Sequence, residues 1–149
     1  PKNIPSTNTE LSIKAFGKES DKAQEWERSF DSHRLAALQL ARTIGNNGVV
    51  PGYTTKRYEK GIVINAKSFG NLTARVSSIS LGSLFIAEKL RVINATKTEH
   101  YLTERMFNDK HVIGVWIEGA TGRANAKDDS FYLKPHESIT VIRVRKNLL

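Results

Sequence analysis

His100 and His111 fall eleven positions apart in the stretch KTEHYLTERMFNDKHVIGVWIEG, residues 97–119. An imidazole titrates near pH ~6.5, which suits it to give or take a proton at neutral pH. Metal-free RNA cleavage needs a base for the 2′-hydroxyl, an acid for the leaving oxygen and a cation beside the phosphate. On this reading His100 and His111 are base and acid, and Arg123 completes the catalytic set. Tyr101, Arg105 and Lys127 extend the anion clamp. A helix over 98–107, capped by Thr98, places Glu104 one turn after His100, at i and i+4. Glu104 then orients the imidazole, or merely pairs with it at the surface. The other two histidines have plainer roles. His33 lies mid-helix beside Arg34, and His136 follows Pro135 in a turn.

Charge points the same way. The 149 residues carry a net charge of +8, with a pI of about 9.8. Residues 51–100 hold eight basic and three acidic side chains, against seven and six in 1–50 and eight and six in 101–149. Clustered positive charge concentrates polyanions, nucleic acid first and acidic proteins next. Within VVPGYTTKRYEKG, residues 49–61, Tyr53, Lys56, Arg57, Tyr58 and Lys60 interleave aromatics with cations after the Pro51-Gly52 turn. Such a stretch stacks bases while neutralising phosphates. With Arg105 and Lys127 it forms the expected nucleic-acid-binding set. It reads equally well as an exposed connection whose tyrosines lean on a core.

The elements that must position these residues follow from periodicity and punctuation. Residues 1–19 read as a flexible polar arm, and 20–149 as one α+β domain. Ser20-Asp21 starts a helix, whose apolar face runs through Ala23, Trp26, Phe30, Ala37, Ala41 and Ile44. Asp31-Ser32 offers a break, with Ser32 capping a second helix. GNNG at 45–48 stops it, with Gly45 as a left-handed cap. Strands are expected over 61–66, 71–80, 89–95, 111–119, 130–134 and 138–145, and a short helix over 81–89. Strands joined by short turns pair antiparallel. The expected fold is therefore α+β, an N-terminal helical layer packed on a mostly antiparallel β-sheet.

Several chemistries are excluded. Cysteine is absent, which removes thiol catalysis, cysteine-based zinc sites and disulfides. No glycine-rich phosphate loop, H-E-x-x-H or G-x-S-x-G occurs. No cofactor or metal is expected. No apolar run reaches the ~18 residues of a membrane span. Asn71-Leu72-Thr73 and Asn94-Ala95-Thr96 match the glycosylation acceptor pattern, which is short enough to arise by chance. The opening PKNIPSTNTE lacks a signal-peptide core, and the start on Pro1 suggests the C-terminal domain of a longer protein.

FGNLTARVSSIS, followed about fifty residues later by FYLKPHESITVIRV, resembles the ADP-ribosyltransferase pattern across the C-terminal half. Ser78-Ile79-Ser80 stands where that family carries a Ser-x-Ser strand. The resemblance implies NAD as substrate, with Arg57 nearest to the family's strand arginine. Asp128 and Asp129 stand at the acidic positions, where the family's Glu-x-Glu is missing. The leading expectation is a basic RNA-binding domain, a metal-independent ribonuclease of toxin or effector type. An ADP-ribosyltransferase-like effector and a non-catalytic module that binds an acidic protein are the alternatives. Location is left open between cytoplasmic and delivered or secreted.

Overall fold

Residues 21–28 form helix α1, and His33–Gly45 form α2. Ser29 ends the first by donating its hydroxyl to the Trp26 carbonyl at 2.6 Å. Ser32 is extended, and its Oγ accepts the Leu35 N–H at 3.1 Å. It thus caps α2, at the break expected from the sequence. The computed structural model describes residues 21–64, 69–118, 124–125 and 130–149. At the end of α2 the left-handed residue is Asn47, with φ 58°, and not Gly45. Gly45 answers a different need: a Cβ there would lie 2.5 Å from Glu118 Oε1.

The strands are β1 Thr54–Ile64, β2 Thr73–Leu81, β3 Phe85–Ile93, β4 His100–Thr103, β5 Val112–Glu118, β6 Ala124–Asn125, β7 Ser130–Leu133 and β8 Ser138–Lys146. They form a five-stranded sheet in the order β1-β2-β3-β8-β5 and a three-stranded sheet in the order β4-β7-β6. All pairings are antiparallel. The helices lie against the large sheet, so the architecture is α+β as expected.

Three expected elements differ. Residues 49–61 are not a connection, because β1 begins at Thr54 and pairs with β2. Its β-branched and aromatic residues favour a strand. A bulge between Arg57 and Ile62 hides the alternation. Residues 81–89 are not a helix. Gly82 donates its N–H to the Phe85 carbonyl at 3.0 Å to close a turn, and β3 follows. That strand buries Phe85 and Ala87 on one face and Leu90 and Val92 on the other, so its sequence does not alternate. Residues 98–107 are not a helix either. His100–Thr103 pairs with β7, and only Glu104–Phe107 turns, as a 3-10 helix. Pairing that buries Leu102 and Leu133 overrides local propensity.

Successive side chains of a strand point to opposite faces, so β3 and β8 each feed two cores. On face A, Phe85, Ala87, Ile142 and Val144 pack with Ala36, Ala37, Leu40, Ala41 and Ile44 of α2 and with Tyr53. On face B, Leu90, Val92, Ile139 and Val141 pack with Leu102, Phe107 and Leu133 beneath the small sheet. The two covers lie at opposite ends of the large sheet. Asn94, fully buried, ties the sheets together. Its Nδ2 donates to the Thr98 and Leu133 carbonyls at 2.8 Å each, and its Oδ1 accepts the Thr96 N–H at 3.0 Å and Oγ1 at 2.7 Å. An amide so engaged is closed to glycosylation in the folded chain.

A buried carboxylate anchors α1. Glu27, 2% exposed, accepts the Tyr53 hydroxyl and the Leu84 N–H, the latter at 3.0 and 3.2 Å to its two oxygens. The Tyr53 ring lies directly over Gly82, where a Cβ would meet it at 2.1 Å. Burial first, and then the bond and charge of Glu27, push the Tyr53 pKa far above its ordinary value. The phenol stays neutral in the folded chain but ionises near pH ~10 in the unfolded one. Its contribution is therefore complete below that pH and is lost as pH rises. Tyr53→Phe is expected to cost about 1–3 kcal/mol at neutral pH, the penalty of a lost buried hydrogen bond. It should also flatten the fall in stability above pH ~10. Urea denaturation across that range checks both.

Candidate functional site

The end of face B beyond the small sheet is open. A groove of about 690 Å³ lies there, lined by Thr54, Lys56 and Tyr58 of β1, Ile79 and Leu81 of β2, Ile86 and Glu88 of β3, and Arg145 and Lys146 of β8. His111, Leu148 and Leu149 complete its walls. Register explains the assembly. Thr54, Leu81, Ile86 and Arg145 form one row across four strands, and Lys56, Ile79, Glu88 and Arg143 form the next.

The apolar floor has a sequence cause. Leu72, Ala74 and Val76 precede Ile79 and Leu81, with a slip of one residue in the alternation. A bulge between Val76 and Ser78 absorbs that slip. It sends Ser78 and Ser80 to face A and keeps Ile79 and Leu81 on the face of Ala74 and Val76. The first residues of this apolar line lie in the core under the small sheet. The last two lie half-exposed in the groove.

Charges order one wall. Arg143 is 8% exposed; its Nε lies 2.6 Å from Glu88 Oε1, and it also donates to the Phe107 carbonyl at 3.4 Å. Arg145 reaches Glu88 at 3.8 Å and Asp109 at 3.6 Å. Asp109 accepts the His111 N–H at 2.8 Å. That bond, aided by the nearby Arg145, Arg143 and His111 charges, holds its carboxyl below the usual range against the opposing effect of desolvation. The Glu88 carboxylate is thus paired within the fold, with Arg143 and Arg145. The Lys56 ammonium sits 5.5 Å from the Tyr58 ring centre. Among the described residues no carboxylate pairs with Lys56 or Lys146. The groove is an apolar floor with a positive rim.

The expected site residues scatter. His100 opens β4 in the small sheet, with Nε2 3.2 Å from Thr98 Oγ1. His111 lies in the groove wall beside the large sheet. The structure does not unite them, and with 98–107 not helical the His100–Glu104 pairing loses its basis. Arg105 is exposed on the 3-10 turn. Tyr53 is buried and unavailable to stack a base. Lys56 and Tyr58 line the groove, whereas Arg57 faces the other side of the sheet. Lys60 lies exposed in the β1 bulge. His33 heads α2 instead of lying mid-helix, and its ring meets the Phe85 ring edge-on at 5.7 Å. His136 is exposed in its turn, as expected. Arg123, Lys127, Asp128 and Asp129 lie outside the described residues. Among the described residues no three His, Asp or Glu side chains cluster as metal ligands, and no helix is long and apolar enough to cross a membrane. The sequence reading missed Ile79, Leu81 and Ile86 as a floor. The phase slip in β2 was the available signal.

Removing Arg143 tests the wall. Arg143→Met leaves Glu88 with only the more distant Arg145. Breaking a buried pair from one side costs about 3–5 kcal/mol. The lower end is expected here, and the paired change Glu88→Leu should recover most of it, as read by chemical denaturation.

Among curated proteins no relative matches the chain. Residues 23–145 match the family model of the TraK C-terminal domain, a family related to conjugation and type IV secretion. This match overturns the expected RNA-binding ribonuclease, the toxin or effector role and the ADP-ribosyltransferase alternative. It also leaves RNA without support as a partner. The match spans both helices and the strands up to β8, and the chain belongs to the TraK C-terminal domain family.

Proposed function

We propose that this chain is a non-enzymatic docking module of a conjugation or type IV secretion apparatus. Its groove takes an apolar segment of a protein partner, with acidic residues flanking that segment. One observation carries the reading: the apolar face of β2 continues past its cover, so Ile79 and Leu81 line an open groove with Ile86. An apolar floor left open on a folded chain marks a contact surface. The partner's acidic flank answers Lys56 and Lys146. The floor itself offers apolar side chains and not the convergent polar groups that fix a small substrate.

A photo-crosslinking residue placed at Ile86 of the full chain, in cells that carry its secretion apparatus, tests this. Adducts with one protein are expected there. A control at the exposed Arg42 of α2 should give none. Ile79→Glu should abolish the Ile86 adduct without unfolding the chain. An Ile86 adduct that survives Ile79→Glu, or none at all, would count against the groove.

A further inference from the structure

Among the described residues the other uncovered quadrant lies on face A, beyond the helices. Register places Val63, Arg75, Arg91 and Thr140 in one row across β1, β2, β3 and β8. The next row carries Arg57, Ser78 and Lys89. Arg57 and Arg91 are exposed, and Arg75 is half-buried. Arg75 and Arg91 are direct cross-strand partners. Like charges placed so are destabilising, and sheets ordinarily set an opposite charge there. Among the described residues no carboxylate pairs with Arg57, Arg75 or Arg91. Arg75 donates from Nη1 to the Lys60 carbonyl, at 3.5 Å. Lys89 is held by Asn47 Oδ1 at 2.8 Å.

We propose that this arginine face is a second docking surface, and that its occupant is an acidic protein surface. The fold sets two arginines opposite each other on neighbouring strands of the large sheet, and partner carboxylates would relieve their repulsion. The guanidinium fork matches a carboxylate with two parallel hydrogen bonds. The planar fork is pre-organised, so less side-chain freedom is lost per hydrogen bond formed. A protein fits better than a single-stranded nucleic acid, because among the described residues neither nearby tyrosine offers this face a stacking platform: Tyr53 is buried and Tyr58 faces the groove. Val63, 42% exposed, adds an apolar contact at the end of the row. The surface lies on the opposite side of the sheet from the groove and does not depend on that reading. With both faces filled, the module would bridge two protein surfaces.

The test titrates the isotope-labelled chain with a poly-glutamate peptide and follows backbone amide and arginine Nε–H signals. A thymidine oligonucleotide and anionic phospholipid vesicles serve as comparison probes. The expected footprint covers Arg57, Arg75 and Arg91. Arg75→Gln/Arg91→Gln should weaken binding by about tenfold or more, while Arg75→Lys/Arg91→Lys should retain part of it. Thermal stability of the glutamine variant should be unchanged or higher, since a repulsion is removed. A footprint confined to Lys56 and Lys146, tighter binding of the oligonucleotide or vesicles, or dimerisation of the chain through this face would each overturn the proposal. So would a loss of stability in the glutamine variant that accounts for the lost binding.

Discussion

Strands β3 and β8 sit next to each other in the large sheet, and their alternation sends neighbouring residues into different cores. Phe85 and Ala87 serve the helical side, whereas Leu90 and Val92 serve the small sheet. On β8, Ile142 and Val144 face one cover, and Ile139 and Val141 face the other. Each cover is shorter than the sheet, and the two lie at opposite ends and on opposite faces. Among the described residues two quadrants are therefore left uncovered, one on each face. The charge and apolarity of those quadrants follow from which strand residues fall in them.

Local anchors hold the covers in place. Glu27, Tyr53 and the Leu84 N–H fix the first helix to the turn between β2 and β3. Ser32 lets the chain bend into α2, whose alanines lie close on the sheet. Asn94 bonds the end of β3 to the small sheet, leaving no buried side-chain polar atom unsatisfied among the described residues. Arg143 and Glu88 mark the boundary between the second core and the groove. Groove and core thus share a wall, and a partner in the groove would rest against a rigid surface.

Much of this was legible in sequence. The helix break at Ser32, β8 and the α+β class follow from capping and alternation. The second half of β3 was read as a strand over 89–95, but its first half was not legible, because a strand that feeds two cores looks uniformly apolar and passes for a helix. Nor was β4, whose four residues owe their conformation to β7. Tyr53 looked like a loop aromatic because its partner Glu27 lies 26 positions earlier, a distance no local pattern spans. The histidines were misleading for the same reason: spacing along the chain did not indicate that His100 lies in the small sheet and His111 in the turn before β5 of the large one. Net charge pointed only toward anionic partners as a class. It could not separate nucleic acid from acidic protein, and the family match decided against the enzyme readings.

Hydroxyl-radical footprinting of the chain, free and within its assembled apparatus, measures groove occupancy most directly. Tyr58, Leu148 and Leu149 should react in the free chain and lose reactivity in the assembly. Tyr101, 55% exposed on the small sheet, should keep its own. Equal reactivity of Tyr58 and Leu148 in both states would contradict docking in the groove.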